Sequence, residues 1–136
     1  MPTGPILVAE SLADDEELRR LGLFAGEMVY RVDKIRRQGG RLLVVRLSAA
    51  LFPNLLKPVR SISDLAKTYG LQLGEALERV CAVPASASVA EALGVTERTL
   101  LLMSDRVVHL SDGRPAEWRI TYRPDQENLA RLLARL

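Results

Sequence analysis

The chain contains one cysteine, Cys81, and one histidine, His109. A single thiol excludes an internal disulfide and a CxxC metal site. A single imidazole argues against a His-rich metal site or a Ser-His-Asp triad, so neither a metal nor another cofactor is expected. Both residues read as structural, Cys81 as a buried apolar thiol and His109 as a solvated or hydrogen-bonded group beside a turn. Sparse cysteine usage and the other absences below make the cytoplasm the default compartment. Apolar runs such as 42–45 and 100–103 have only strand length, so none can cross a bilayer and no membrane partner is expected. The opening MPTGPILVAESLADDEE lacks the basic and apolar regions of a signal peptide. Aromatic residues make up 4% of the chain, which leaves no basic patch with interleaved rings for nucleic acid. Excess charge is scarce too. Nineteen Lys and Arg against 17 Asp and Glu leave +2, too little to imply clustered phosphate contacts. What remains is an ordinary globular balance, 48% apolar and 26% charged over 136 residues, enough for one domain with its own core.

The most informative feature is an internal repeat. LGLFAGEMVYRVDKIRRQGGRLLVVR (21–46) parallels LGVTERTLLLMSDRVVHLSDGRPAEWR (93–119). Both begin Leu-Gly-apolar, and both place an acid-base pair at the same offset, Asp33-Lys34 and Asp105-Arg106. Both turn on a glycine followed by arginine, and Arg46 and Arg119 each lie six residues past that glycine. Upstream, ILVAES precedes ADDEELRR as ERVCAVP precedes ASASVAEA. Each unit, about 6–46 and 79–122, therefore reads as strand, short helix, hairpin.

Capping chemistry supports the helices. Ser11 or Asp14 can cap the first, with acids in its first turn and Arg19 and Arg20 in its last, the order that suits the helix dipole. Asp14 to Glu17 read as a solvated start, because consecutive helical residues point different ways. Ser86 or Ser88 can cap the second, and Gly22 and Gly94 supply the stops. The hairpins flank Gln38-Gly39-Gly40 and Ser111-Asp112-Gly113-Arg114, where glycine provides the positive φ of a tight turn. Between the units lies a helical insert, about 47–74. It holds one helical turn at 48–52, ended by Pro53, and a helix over 61–69 with Ser61 and Asp64 as a capping box. A C-terminal helix over about 126–136 carries a stripe of Leu129, Leu132, Leu133 and Leu136. The fold class is α+β, a single domain over 1–136 with a mostly antiparallel sheet.

No P-loop, dinucleotide fingerprint, zinc motif or nucleophile elbow is present. The strands instead carry an unusual basic load. Lys34 and Arg36 share one face of their strand, and Arg31 faces the other way. Arg46 and Arg119 occupy matching places in the two return strands. Glu117 shares a face with Arg119, Trp118 and Ile120 lie opposite, and Arg123 follows at the strand end. Such arginines suit a concave anion site, since a guanidinium offers a planar fork to carboxylate or phosphate. They equally suit a solvated sheet face with cross-strand ion pairs. Ser61 and Ser63 open the middle helix, where free amides favour an anion. Ser61 can also be a simple cap.

In order and spacing, LGL-x-x-GE-x-V-x-R-V-D-K-I-R, ALFPNL, S-x-S-D-L-x-x-x-YGL, AVPASASVAEALGV and DGRPAEWRITYRPD resemble the UTRA domain over about residues 6–125. This is the effector-sensing domain of the HutC branch of GntR-type bacterial transcription regulators. The resemblance implies a chorismate-lyase-like fold, a small-metabolite site rather than a catalyst, and a homodimer. It also implies DNA binding only through a winged-helix domain of about 60–70 residues, which is absent from these 136. The family's basic hairpin positions fall on Arg31, Lys34 and Arg36, and its helix-start serine on Ser61. A tyrosine often found two residues later is Ser63 here. Its acidic hairpin residue falls on Glu117, and its Arg-x-Asp on Arg123 and Asp125. Where the family often has a glutamate in the first return strand, this chain reads Val44-Val45-Arg46. An arginine in place of an acceptor points to an anionic effector such as a carboxylate metabolite. The helical ending, too, replaces a strand the family commonly has. The expected pocket comprises Arg31, Lys34, Arg36, Arg46, Ser61, Ser63, Glu117, Arg119 and Arg123. The competing readings are a chorismate-pyruvate-lyase-like enzyme on the same fold and a dimerisation module with a degenerate pocket.

One consequence is testable on the sequence alone. Arg36→Ala should weaken anion binding by about 1.5–3 kcal/mol, the worth of a charge-assisted hydrogen bond, with little loss of stability. Calorimetry showing unchanged affinity would remove Arg36 from the site.

Overall fold

Valine, leucine and isoleucine recur along the two hairpins. In the computed structural model these segments form the centre of one sheet. The structure describes residues 7–36, 40–55 and 61–135 (for 7, 8 and 36 the backbone alone). The elements are β1 (Leu7–Leu12), α1 (Asp15–Leu21), β2 (Met28–Arg36), β3 (Arg41–Ser48), α2 (Ile62–Thr68), β4 (Leu73–Pro84), α3 (Ala87–Leu93), β5 (Leu100–Leu110), β6 (Pro115–Arg123) and α4 (Gln126–Leu133). The six strands pair antiparallel in the order β1-β2-β3-β6-β5-β4. The fold is thus α+β, and the two repeat units form its two halves, welded along β3 and β6.

The halves correspond at a constant separation of 72 residues. Asp14 and Ser86 are the N-caps of α1 and α3, each accepting from a backbone amide three residues on. Gly22 and Gly94 end these helices at φ 61° and 68°, where a side chain would be strained. Leu7 opposes Asp33 as Arg79 opposes Asp105. Ala13, Leu21 and Val29 make one small core under α1, and Ala85, Ala90 and Leu101 make its counterpart under α3. Both helices cover the same sheet face. The opposite face carries the larger core, in which Tyr30, Val32, Val45, Leu47, Val108 and Leu110 pack against Phe52, Leu55, Ile62 and Leu65.

Several expectations need correction. Residues 48–52 form no helix. Ser48 closes β3, and Leu51 and Phe52 donate to the carbonyls of Ser48 and Ala49, three residues back, as in successive tight turns. The insert ends earlier than expected because β4 starts at Leu73 and runs 12 residues. Ser61 does cap α2, accepting from the Asp64 amide at 3.2 Å. The C-terminal stripe is divided: Leu129 is buried, Leu132 half-buried and Leu133 exposed, and Leu136 lies outside the described residues. Gln38 and Gly39 of the first hairpin turn also lie outside them; Gly40 has φ 56°. Cys81 is half-buried rather than buried. Among the described residues no helix is long and apolar enough to cross a membrane.

β4 meets β5 irregularly between Leu73 and Ala76. Gly74 sits at that irregularity, where a Cβ would lie 2.7 Å from the Leu110 carbonyl oxygen and 2.9 Å from Ser111 Cα. Both are backbone atoms and cannot swing aside. Gly74→Ala should therefore cost about 1–3 kcal/mol, as overpacking does, measured as a lower midpoint in urea unfolding.

Candidate functional site

Period-two alternation sorts the basic residues onto two faces. On the face covered by α1 and α3, Arg31 and Arg46 stand directly opposite one another on β2 and β3. Like charges in that position repel, and Glu17 of α1 resolves the conflict. Its carboxylate is 2% exposed and accepts from Arg31 Nε at 2.8 Å, Arg31 Nη2 at 2.6 Å and Arg46 Nε at 2.9 Å. The Asp14 amide donates to the same carboxylate at 2.9 Å, completing a reciprocal cap. Burial pushes the Glu17 carboxyl up. The Arg31 hydrogen bonds, the Asp14 amide and the charges of Arg31 and Arg46 outweigh it and hold the group below its ordinary value. Arg46 Nη1 also donates to Asp33 Oδ1 at 2.9 Å. A hollow of about 170 Å³ beside Arg46 is lined by Asp14, Glu16 and Glu17, a surrounding hostile to an anion.

A second cluster pins α1 to the other half of the sheet. Asp105 accepts from Trp118 Nε1 at 2.9 Å and from Arg20, whose guanidinium lies 5.1 Å from the Trp118 ring centroid. A broad groove of about 460 Å³ beside it runs along the exposed β4 edge past Arg79 and His109.

The α2 face differs. Between the sheet and α2 lies a cavity of about 30 Å³, lined by Lys34, Ser61, Glu117 and Arg119 with Val32, Val45, Leu47, Leu55, Ile62 and Leu65. Glu117 is 2% exposed and accepts from Arg119 Nη2 at 3.0 Å and, at 3.4 Å, from Arg106 Nη2. Arg119 is also in the wall of an adjoining hollow of about 160 Å³, with Arg41, Leu43, Glu78, Ser104, Arg106 and Thr121. The buried Nε atoms of Arg106 and Arg119 have no hydrogen-bond partner, and neither has that of Arg20 in the Asp105–Trp118 cluster.

The structure therefore brings together Lys34, Ser61, Glu117 and Arg119 and places Arg31, Arg46, Ser63 and Arg123 elsewhere. Arg31 and Arg46 belong to the Glu17 cluster on the opposite face. The match of Arg46 with Arg119 fails because Arg46 opposes Trp118 across the β3–β6 ladder, whereas Arg119 opposes Val45. Of the stretch Val44-Val45-Arg46 it is Val45 that faces the cavity, not Arg46. Ser63 is exposed and absent from the cavity wall. Arg123 pairs with Asp125 at 3.6 Å at the end of β6. The Arg36 side chain lies outside the described residues. His109 lies within 3.1 Å of the Glu75 carbonyl, a structural contact. Sequence reasoning missed Glu17 and Arg106. The Asp14-x-x-Glu17 spacing of a capping box signalled the first, and the repeat pair Asp105-Arg106 the second.

Residues 5–126 match the UTRA domain. No curated protein matches the chain. Among solved structures, one described as the ligand-binding domain of a GntR-family transcriptional regulator from Bordetella bronchiseptica has a TM-score of 0.79 at 25% identity, covering 90% of this chain and 85% of that one. YydK from Bacillus subtilis has a TM-score of 0.80 at 18% identity over 90% of this chain, which spans only 58% of YydK. The effector domain of PhnF from Mycobacterium smegmatis has a TM-score of 0.75 at 22% identity, covering 88% of this chain and 78% of that one. The last two likenesses concern the fold alone.

The Glu17 cluster generates a stability prediction. Glu17→Gln leaves Arg31 without its close carboxylate and Arg46 with Asp33 alone, and should cost on the order of 3 kcal/mol near neutrality. A depressed folded-state pKa means the carboxylate's contribution is complete above the unfolded glutamate value of about 4.3 and is lost as pH falls through the folded value. The gap between the two proteins should therefore shrink at acid pH, as read by urea unfolding across a pH series.

Proposed function

The chain belongs to the UTRA-domain family, and from that premise we propose that it senses a small anionic metabolite on the α2 face of its sheet. The observation that carries this reading is Arg119. Its guanidinium is largely buried in the wall between two hollows and shares its one carboxylate partner, Glu117, with Arg106. Buried charges are costly unless fully paired and hydrogen-bonded. An incoming carboxylate or phosphate supplies what is missing. Glu117 orients the guanidinium and offers acceptor capacity to a hydroxyl or amine of the same ligand. Val32, Val45, Leu47, Ile62 and Leu65 supply the apolar wall that a small-molecule site uses for burial. With valine at position 45, Glu117 is the one acidic residue lining this cavity, which favours ligands poor in hydroxyls over sugars.

In this reading the domain works as a homodimer within a GntR/HutC-type regulator whose winged-helix domain lies outside this chain. An effector that prefers the non-DNA-binding arrangement weakens operator binding by linkage. The family membership and the likeness to a ligand-binding domain support that assignment.

A thermal-shift screen of organic acids and sugar phosphates tests it, since any ligand selective for the folded state raises Tm. Anionic hits are expected. Arg119→Ala should weaken them by about 1.5–3 kcal/mol, while Arg31→Ala, on the opposite face, should leave affinity unchanged. A screen in which only neutral or cationic compounds shift Tm overturns the reading. Release of 4-hydroxybenzoate from chorismate would make the chain an enzyme instead.

A further inference from the structure

The repeat marks one residue that the effector site leaves unused. Asp33 and Asp105 occupy equivalent register steps in the two halves, so their neighbours Lys34 and Arg106 do too. Both neighbours project onto the α2 face, Lys34 from β2 and Arg106 from β5, one on each side of the central β3–β6 pair. Lys34 lines the smaller cavity and Arg106 the adjoining one, with Arg119 in the wall of both.

The surroundings of Arg106 call for more negative charge than they hold. Arg106 stands directly opposite Arg119 across the β5–β6 ladder, an arrangement that repels. Glu117 alone bonds to both, and one carboxylate cannot neutralise two guanidiniums. Glu78 faces Arg106 from β4, accepts from the Ser104 hydroxyl at 2.7 Å and keeps its charge, so two carboxylates answer Arg106 and Arg119. Arg41 adds a third guanidinium from β3. The Nε–H groups of Arg106 and Arg119, like that of Arg20, are buried without a partner. Thr121 brings a hydroxyl to the same wall. A hollow of about 160 Å³ has room for an oxyanion group there.

Resting on the effector-site reading above, we infer that Arg41, Arg106 and Arg119 form a second oxyanion subsite. The effector is therefore a dianion. One anionic end sits toward Lys34 and Ser61, the other among Arg41, Arg106 and Arg119, and the middle passes Glu117.

Calorimetry on the full chain with dicarboxylates from malonate to adipate, against monocarboxylates from propionate to hexanoate, tests this. The best dicarboxylate should bind at least tenfold more tightly than its monoanionic match, the worth of an added charge-assisted contact. Arg106→Gln should collapse that ratio toward unity. Arg41→Gln should reduce it as well, and because Arg41 is exposed and outside the Glu117 pairing, that variant keeps the test valid should Arg106→Gln fail to fold. Lys34→Met should weaken both ligand classes together. Equal affinity for the two classes, or a ratio that survives both arginine substitutions, overturns the second subsite and leaves the effector site standing. If Lys34→Met changes neither class while Arg106→Gln abolishes dicarboxylate binding, the oxyanion subsite stands and the cavity at α2 is not the effector site. If neither class binds, the subsite is overturned for carboxylates, and inorganic phosphate titrated against the Arg Nε–H resonances decides for phosphate in the same way.

Discussion

The register of β3 against β6 is the constraint on which the rest depends. The clusters around Glu17, Asp105 and Glu117 are each assigned to a face through that ladder. Arg46 opposes Trp118, Val45 opposes Arg119 and Leu47 opposes Glu117. A slip of one residue would turn Glu117 and Arg119 toward α1 and send Trp118 under α2. The slip is resisted on both sides at once. Leu47 and Val45 are buried in the larger core, while Trp118 is held by Asp105 and by the Arg20 guanidinium.

Two buried glutamates show how the same pairing can serve different ends. Glu17 and Glu117 are each 2% exposed and each bonded to two arginines. Glu17 also receives a backbone amide, and Arg46 finds a second carboxylate in Asp33. That cluster pairs each guanidinium with close carboxylate oxygens, and it fastens α1 to the sheet. Glu117 has no comparable surplus. Its two arginines stand abreast, each with a buried donor unspent. Between these two clusters the difference lies in how far the hydrogen-bonding capacity is spent rather than in the residue types; Arg20, with a buried Nε unpartnered beside Asp105, shows that such a remainder alone does not make a site.

Much of the fold was legible because local signals agreed with one another. Asp14 and Ser86 cap, Gly22 and Gly94 stop, and each unit repeats strand, helix and hairpin. The site was legible only in part. Lys34, Ser61, Glu117 and Arg119 could be read from residue type and resemblance. Arg46 could not be placed, because a glycine-to-arginine count ignores how each hairpin ladder is registered. The β5–β6 hairpin shifts register between Val108 and His109, and one residue of offset reverses a face. Glu17 was read as solvated from its neighbours in sequence, whereas its burial depends on β2 and β3, distant in the chain. Nothing local tells a capping glutamate that two strand arginines wait beneath it.

The departures from internal symmetry explain why a site forms on one face. Under α1 and α3 the two halves bury equivalent small cores, and Val89 of α3 stands at the repeat position of Glu17. The α2 face has no such balance. The connection from β3 to β4 lays α2 over the first half, whereas α4 packs against β4 and β5. Cations at equivalent positions, Lys34 and Arg106, thus meet different surroundings, one beneath Ile62 and Leu65 and one beside Ser104 and Thr121. A ligand spanning both would contact strands of the two halves together and so favour one packing of the halves over another. A ligand shifts an equilibrium only through such differential contact. In a sheet whose halves meet along a single ladder, a site that bridges that ladder is where binding energy can act on the whole domain.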